Sequence, residues 1–177
     1  MSIRNLILGS FLLFVYSGLG WSQTFVCSGT TAPAGSVTTS FFHSASCPGS
    51  GNNAKQLKDI SGDAFNTVET GICDLPSEIP KGWVITEFDA SSSCNGLDSY
   101  KLRNLHGAPT GFSAVTVCFQ STIPDRWVVT DTPTNSLCGS GTGNQRTILD
   151  LNGLALNTSK TVCSISPVPL PWLERVS

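Results

Sequence analysis

The stretch Ile79-Pro80-Lys81-Gly82-Trp83-Val84-Ile85-Thr86 returns forty-four residues later as Ile123-Pro124-Asp125-Arg126-Trp127-Val128-Val129-Thr130. A looser copy, Ala32-Pro33-Ala34-Gly35-Ser36-Val37-Thr38-Thr39, precedes both. Two other landmarks keep the same step. Leu57-Lys58-Asp59-Ile60-Ser61-Gly62 aligns with Leu102-Arg103-Asn104-Leu105-His106-Gly107 and with Ile148-Leu149-Asp150-Leu151-Asn152-Gly153. Cys27, Cys73, Cys118 and Cys163 are spaced by 46, 45 and 45 residues, and Cys47, Cys94 and Cys138 by 47 and 44. Agreement at several points of one cycle is the mark of an internal repeat. Complete repeats cover 28–73, 74–118 and 119–163. Residues 23–27 read as the end of a preceding unit, and 164–177, with Pro167 to Trp172, as the start of an interrupted fourth.

Inside each repeat the pattern is β. Trp83-Val84-Ile85-Thr86 and Val115-Thr116-Val117-Cys118 are short runs of β-branched and aromatic residues, and Tyr100 and Leu102 alternate with Lys101 and Arg103. Gly, Pro and Ser clusters such as Cys47-Pro48-Gly49-Ser50-Gly51 punctuate these runs as turns. The expectation is three or four short strands per repeat, with a weak helical alternative over Ala54 to Ile60.

A unit of about 45 residues is near the lower limit for an independent core. It therefore needs a neighbour or a crosslink, and a cystine closing ~20 residues stabilises by roughly 3 kcal/mol on the chain-entropy account. Two schemes fit the spacing. One joins Cys27–Cys47, Cys73–Cys94 and Cys118–Cys138 and leaves Cys163 unpaired. The other joins Cys47–Cys73, Cys94–Cys118 and Cys138–Cys163 and leaves Cys27. The first is preferred, because an interrupted fourth unit would begin with Cys163 and lack its inner cysteine. The expected fold class is all-β, with three disulfide-braced repeats in an open array. A closed threefold barrel of the β-trefoil kind is the alternative, disfavoured by the extra fragments at both ends.

The first 22 residues read as a signal peptide. Arg4 is followed by a mostly apolar Leu6 to Tyr16, and Gly20 and Ser22 suit cleavage before Gln23. The run is too short for a stable membrane span, and none follows it, so the mature chain is expected to be soluble. The placement of Cys27 after Val26 does not suit lipid attachment. All seven cysteines lie beyond the signal, which suits an oxidising compartment: secreted or extracellular, or periplasmic in a Gram-negative producer that exports it no further.

Charged residues are 12% of the chain and the formal net charge is −2, so no positive field draws nucleic acid or anionic lipid. No cofactor, metal or catalytic residue is expected. His43 and His106 have no ligand partner at a metal spacing, and His106 fills a turn slot held by Ser61 and Asn152 in the other repeats. Gly139-Ser140-Gly141-Thr142-Gly143 lacks the lysine of a phosphate loop and reads as a turn. Glu87 and Asp89 share a strand face, but the third repeat has Asp131 and Pro133 there and the first has neither acid, so a solvated face is preferred to an acid–base pair. Asn157-Thr158-Ser159 is a glycosylation sequon in an expected surface turn.

One column could bind a ligand. Trp83, Trp127 and Trp172 recur once per repeat, with Ser36 in the first. Exposed, they would stack on sugar faces as weak sites adding through multivalency; buried, they would fill each unit's small core, which is preferred. Repetition favours a non-enzymatic protein of adhesion, surface assembly or glycan binding, with a glycan or a cell-surface protein as partner. A secreted inhibitor or toxin-like effector presenting loops is the alternative. Cys163 offers a route to a disulfide-linked homodimer.

Overall fold

The computed structural model describes residues 24–89, 92–152, 154–155 and 158–163. The signal segment, Asn157, Trp172 and the rest of the fourth-unit fragment lie outside the described residues. Among the described residues, nine strands form three sheets of three antiparallel strands. The first holds β1 (Thr24–Cys27), β2 (Ser36–Phe42) and β3 (Ala54–Asp59). The second holds β4 (Val68–Ile72), β5 (Trp83–Asp89) and β6 (Ser99–Asn104), and the third β7 (Val115–Cys118), β8 (Trp127–Asp131) and β9 (Gln145–Asp150). In each sheet the last strand in sequence lies in the middle. Each sheet closes on its own three strands, so the array is open, and the trefoil alternative fails because no barrel joins the three sheets among the described residues.

Hydrogen bonding cuts the cycle one strand earlier than the alignment does. The phrase ending in Cys73 belongs in sequence to repeat 1, yet its strand β4 pairs with β6 of the next unit. The helical alternative over Ala54 to Ile60 gives way to β3. Its buried Ala54, Leu57 and Ile60 mimic a helical spacing, but pairing with β1 on one side and β2 on the other takes up its backbone groups.

A bulge recurs in every module and two further devices in two of the three. A bulge falls at Thr39, Thr86 and Thr130 in the register of the second strand. Thr86 and Thr130 donate their hydroxyls to carbonyls of the partner strand, Lys101 at 3.2 Å and Thr147 at 3.3 Å, which anchors the bend there. Before the last strand, Asn53 donates to the carbonyls of Ser44, Cys47 and Gly49, and Asn144 to those of Asn135 and Gly139. One amide thus organises the loop that carries the inner cysteine. Gly139 to Gly143 is such a loop, held from within by Asn144 and by Gly143 N–H donating to Thr134 Oγ1.

The cystines are Cys27–Cys47, Cys73–Cys94 and Cys118–Cys138, and Cys163 is the free thiol. Each joins the first strand of a module to the loop before its last strand, closing a separation of 20 or 21 residues.

Modules stack in sequence, and their cores are shared. One cluster gathers Val37 and Ile60 of the first module, Ile72, Trp83, Ile85, Tyr100 and Leu102 of the second, and Cys118 and Cys138 of the third. Another joins Val84, Leu105 and Ala108 to Val115, Val117, Trp127, Val129 and Ile148. This resolves the difficulty of a 45-residue unit: the neighbour supplies apolar surface that one unit cannot bury alone. Buried polar ties cross the same junctions. Cys73 N–H donates to Thr38 O at 2.8 Å, Thr38 N–H to Asp74 Oδ2 at 2.9 Å, and Ile85 N–H to Ser121 Oγ at 3.0 Å. Cys163 N–H donates to Val129 O at 2.8 Å, repeating on the third module the contact that Cys73 makes on the first.

Candidate functional site

The repeated phrase that decides the fold also builds the site. In each module a proline carbonyl accepts from the N–H three residues on: Pro33 from Ser36, Pro80 from Trp83 and Pro124 from Trp127. The third residue of each turn has positive φ, Gly35 at 83°, Gly82 at 88° and Arg126 at 73°. This is the requirement of a type II turn, which glycine meets without strain. The carbonyl of that residue then accepts from the residue after the module's last strand, Ile60, Leu105 or Leu151. Gly82 is tightly held there, since a Cβ on it would come within 2.9 Å of His106 Cβ.

Stacking the second module on the third brings two such turns together across a cleft of about 690 Å³. One wall is the turn Ile79 to Trp83, the other Thr122 to Trp127, and Leu105 to Ala108 complete the lining. The isoleucines, prolines and tryptophan edges give it an apolar floor. Lys81, His106, Asp125 and Arg126 supply its ionisable groups, of which His106, Asp125 and Arg126 are exposed around it, as is Lys81. Arg126 Nη2 stands 3.5 Å from Asp150 Oδ2, with the arginine side chain 48% exposed and the aspartate side chain fully sealed. Asp150 Oδ1 accepts Asn152 N–H, while Oδ2 has no hydrogen-bond partner.

The tryptophans do not form an exposed column. Trp83 is 4% and Trp127 2% accessible, because each begins the second strand of its module and points into a shared core. Both fill shared cores, the reading preferred from the sequence, and neither presents a free indole face on which a sugar could stack. Trp172 is outside the described residues.

The remaining candidates stay apart. Glu87 pairs with Lys101 at 3.2 Å on the outer face of β5, and Asp89 is exposed at the strand's end, so the solvated-face reading fits. Asp131 accepts the N–H of Thr132 in its own turn. His43 lies exposed with Nδ1 3.0 Å from Gly51 O. Among the described residues no group of three His, Cys, Asp or Glu is placed to hold a metal ion, and no helix is long and apolar enough to cross a membrane.

Sequence reasoning did not pick out Lys81, Asp125 and Arg126 as a set. The available signal was Arg126 standing where both other repeats carry glycine. A scan against family models matched none, and searches of curated proteins and of solved structures found no match.

Proposed function

We propose that this chain is a secreted, non-enzymatic attachment protein that binds glycans weakly at the cleft between its second and third modules and gains strength when many copies act together. The observation that carries the reading is the cleft itself: two copies of the repeated turn face each other across an apolar floor with polar groups at its edge, the make-up of a ligand site. Three cystines within the chain suit an extracellular environment. Repetition of one stacked unit suits attachment, where weak contacts are multiplied. A dimer linked through Cys163 would double the clefts per particle, and its thiol is half-buried against the third module's core, so linkage requires its segment to lift.

The test is a glycan array probed with the secreted protein, once as free chain and once clustered on beads. Clustering is expected to raise retained binding by about a hundredfold on the glycans recognised. Absence of binding in both forms defeats the reading. Non-reducing electrophoresis of the same material reads the Cys163 dimer directly.

A further inference from the structure

Resting on the glycan reading above, we infer that the cleft selects acidic glycans, chains bearing carboxylate or sulfate groups, and that Arg126 is the residue that anchors their charge. Arg126 adopts φ 73°, a left-handed conformation that the first and second modules give to Gly35 and Gly82 at the same turn position. A side chain in that region strains an L-residue, so the fold alone favours glycine there. The third module instead carries the longest cationic side chain there, on a turn that forms one wall of the cleft while the Gly82 turn forms the other. Strain of this kind held at a site is the usual companion of a functional side chain.

The charges are arranged to suit an anion. Arg126 and Lys81 come from opposite walls and are exposed, and among the described residues Lys81 enters no ion pair. His106, also in the lining, is exposed, and its ring has no hydrogen-bond partner among the described residues. Two acids oppose them. Asp125 is exposed beside Arg126, whereas Asp150 is sealed beneath it. At 3.5 Å, with no hydrogen bond to Oδ2, Asp150 orients the guanidinium without consuming its donor geometry. An oriented, half-exposed guanidinium can grip a planar carboxylate or a sulfate through paired N–H donors. The apolar floor meanwhile accepts the C–H face of a sugar ring, and the length of the cleft leaves room for more than the charged group alone. Both cations are exposed at the cleft, and one of the two acids, Asp150, is sealed away from a ligand.

The experiment titrates the full secreted chain with polygalacturonate, chondroitin sulfate and neutral dextran by calorimetry, at about 50 and about 500 mM NaCl. Arg126→Gly restores the residue the other modules use, so it is expected to fold; Lys81→Ala alters an exposed, unpaired side chain. The inference expects the two acidic polymers to bind about tenfold or more tighter than dextran, the preference to shrink at high salt, and Arg126→Gly to lose about tenfold on the acidic polymers, with Lys81→Ala losing less. Equal binding of all three polymers, untouched by either variant, overturns the acidic preference while leaving glycan attachment standing. No binding of any polymer overturns both. Thermal unfolding of the variants separates lost charge from lost fold, and a loss in Arg126→Gly that Lys81→Ala does not share even in part overturns the two-walled grip.

Discussion

Replacing Trp127 with alanine probes whether the modules stand alone or through one another. Trp127 is 2% accessible and meets Phe112 edge-on at 6.3 Å between ring centroids. Its cluster holds Val84, Leu105 and Ala108 from the second module as well as four residues of the third. Truncating a buried indole costs about 3–5 kcal/mol through lost transfer energy and the cavity left behind. One edge of the ring borders the cleft, where water can enter the space, so the lower half of that range, about 3–4 kcal/mol, is the expectation here. Against a total of about 5–15 kcal/mol for a single domain, this is a large share. Urea unfolding of the oxidised protein measures the loss, and hydrogen exchange locates it. Protection of Trp83–Asp89 and Ser99–Asn104 should fall together with that of Gln145–Asp150, since the cavity opens between modules. A loss below about 1 kcal/mol, or exchange confined to the third module's strands, refutes the shared core.

Other consequences are equally direct. Ser121→Ala leaves the buried Ile85 N–H without its acceptor and should cost about 1–3 kcal/mol, read as a lower urea midpoint at unchanged slope. Removing the Cys73–Cys94 bridge as a double alanine variant frees a separation of 21 residues and should cost about 3 kcal/mol; an unchanged Tm speaks against the cystine as a brace. Burial pushes the Asp74 carboxyl above its ordinary 3.8, with Glu78 adding to the rise and Thr38 N–H and Lys55 opposing it. Its folded-state pKa being raised, the stability linked to it is fully present below the unfolded value and is lost as pH rises through the folded one. Asp74→Asn keeps an acceptor for Thr38 N–H and removes the charge, so it should raise Tm at pH 7 and flatten the acid-side gain; an unchanged pH profile counts against this.

Much of the architecture was legible because cysteine spacing is a covalent record. Two interleaved series with one period announced the repeat and narrowed the bridges to two schemes, and Trp-Val-Ile-Thr announced a strand. The starting point of the cycle was less visible. A period sets the length of a unit and leaves its phase open, and the pairing of β4 with β6 shows that the strand before Cys73 works for the next module. The fate of the tryptophans was open for a related reason. A large aromatic at the head of a strand suits a core or a ligand equally, and what buries Trp83 comes partly from the neighbouring modules. The cleft was hidden altogether, since its walls are turns forty-four residues apart that meet only through stacking. Arg126 in a glycine slot was its single trace, meaningful once the positive φ is known.

The most direct test of the account is a titration of isotope-labelled protein with oligogalacturonate, followed by backbone amide shifts. The account predicts perturbations concentrated at 79–83, 105–108 and 122–127, on both walls of one cleft. Shifts confined to the outer face of β5 around Glu87 and Lys101, or scattered without relation to the junction of the second and third modules, would contradict it.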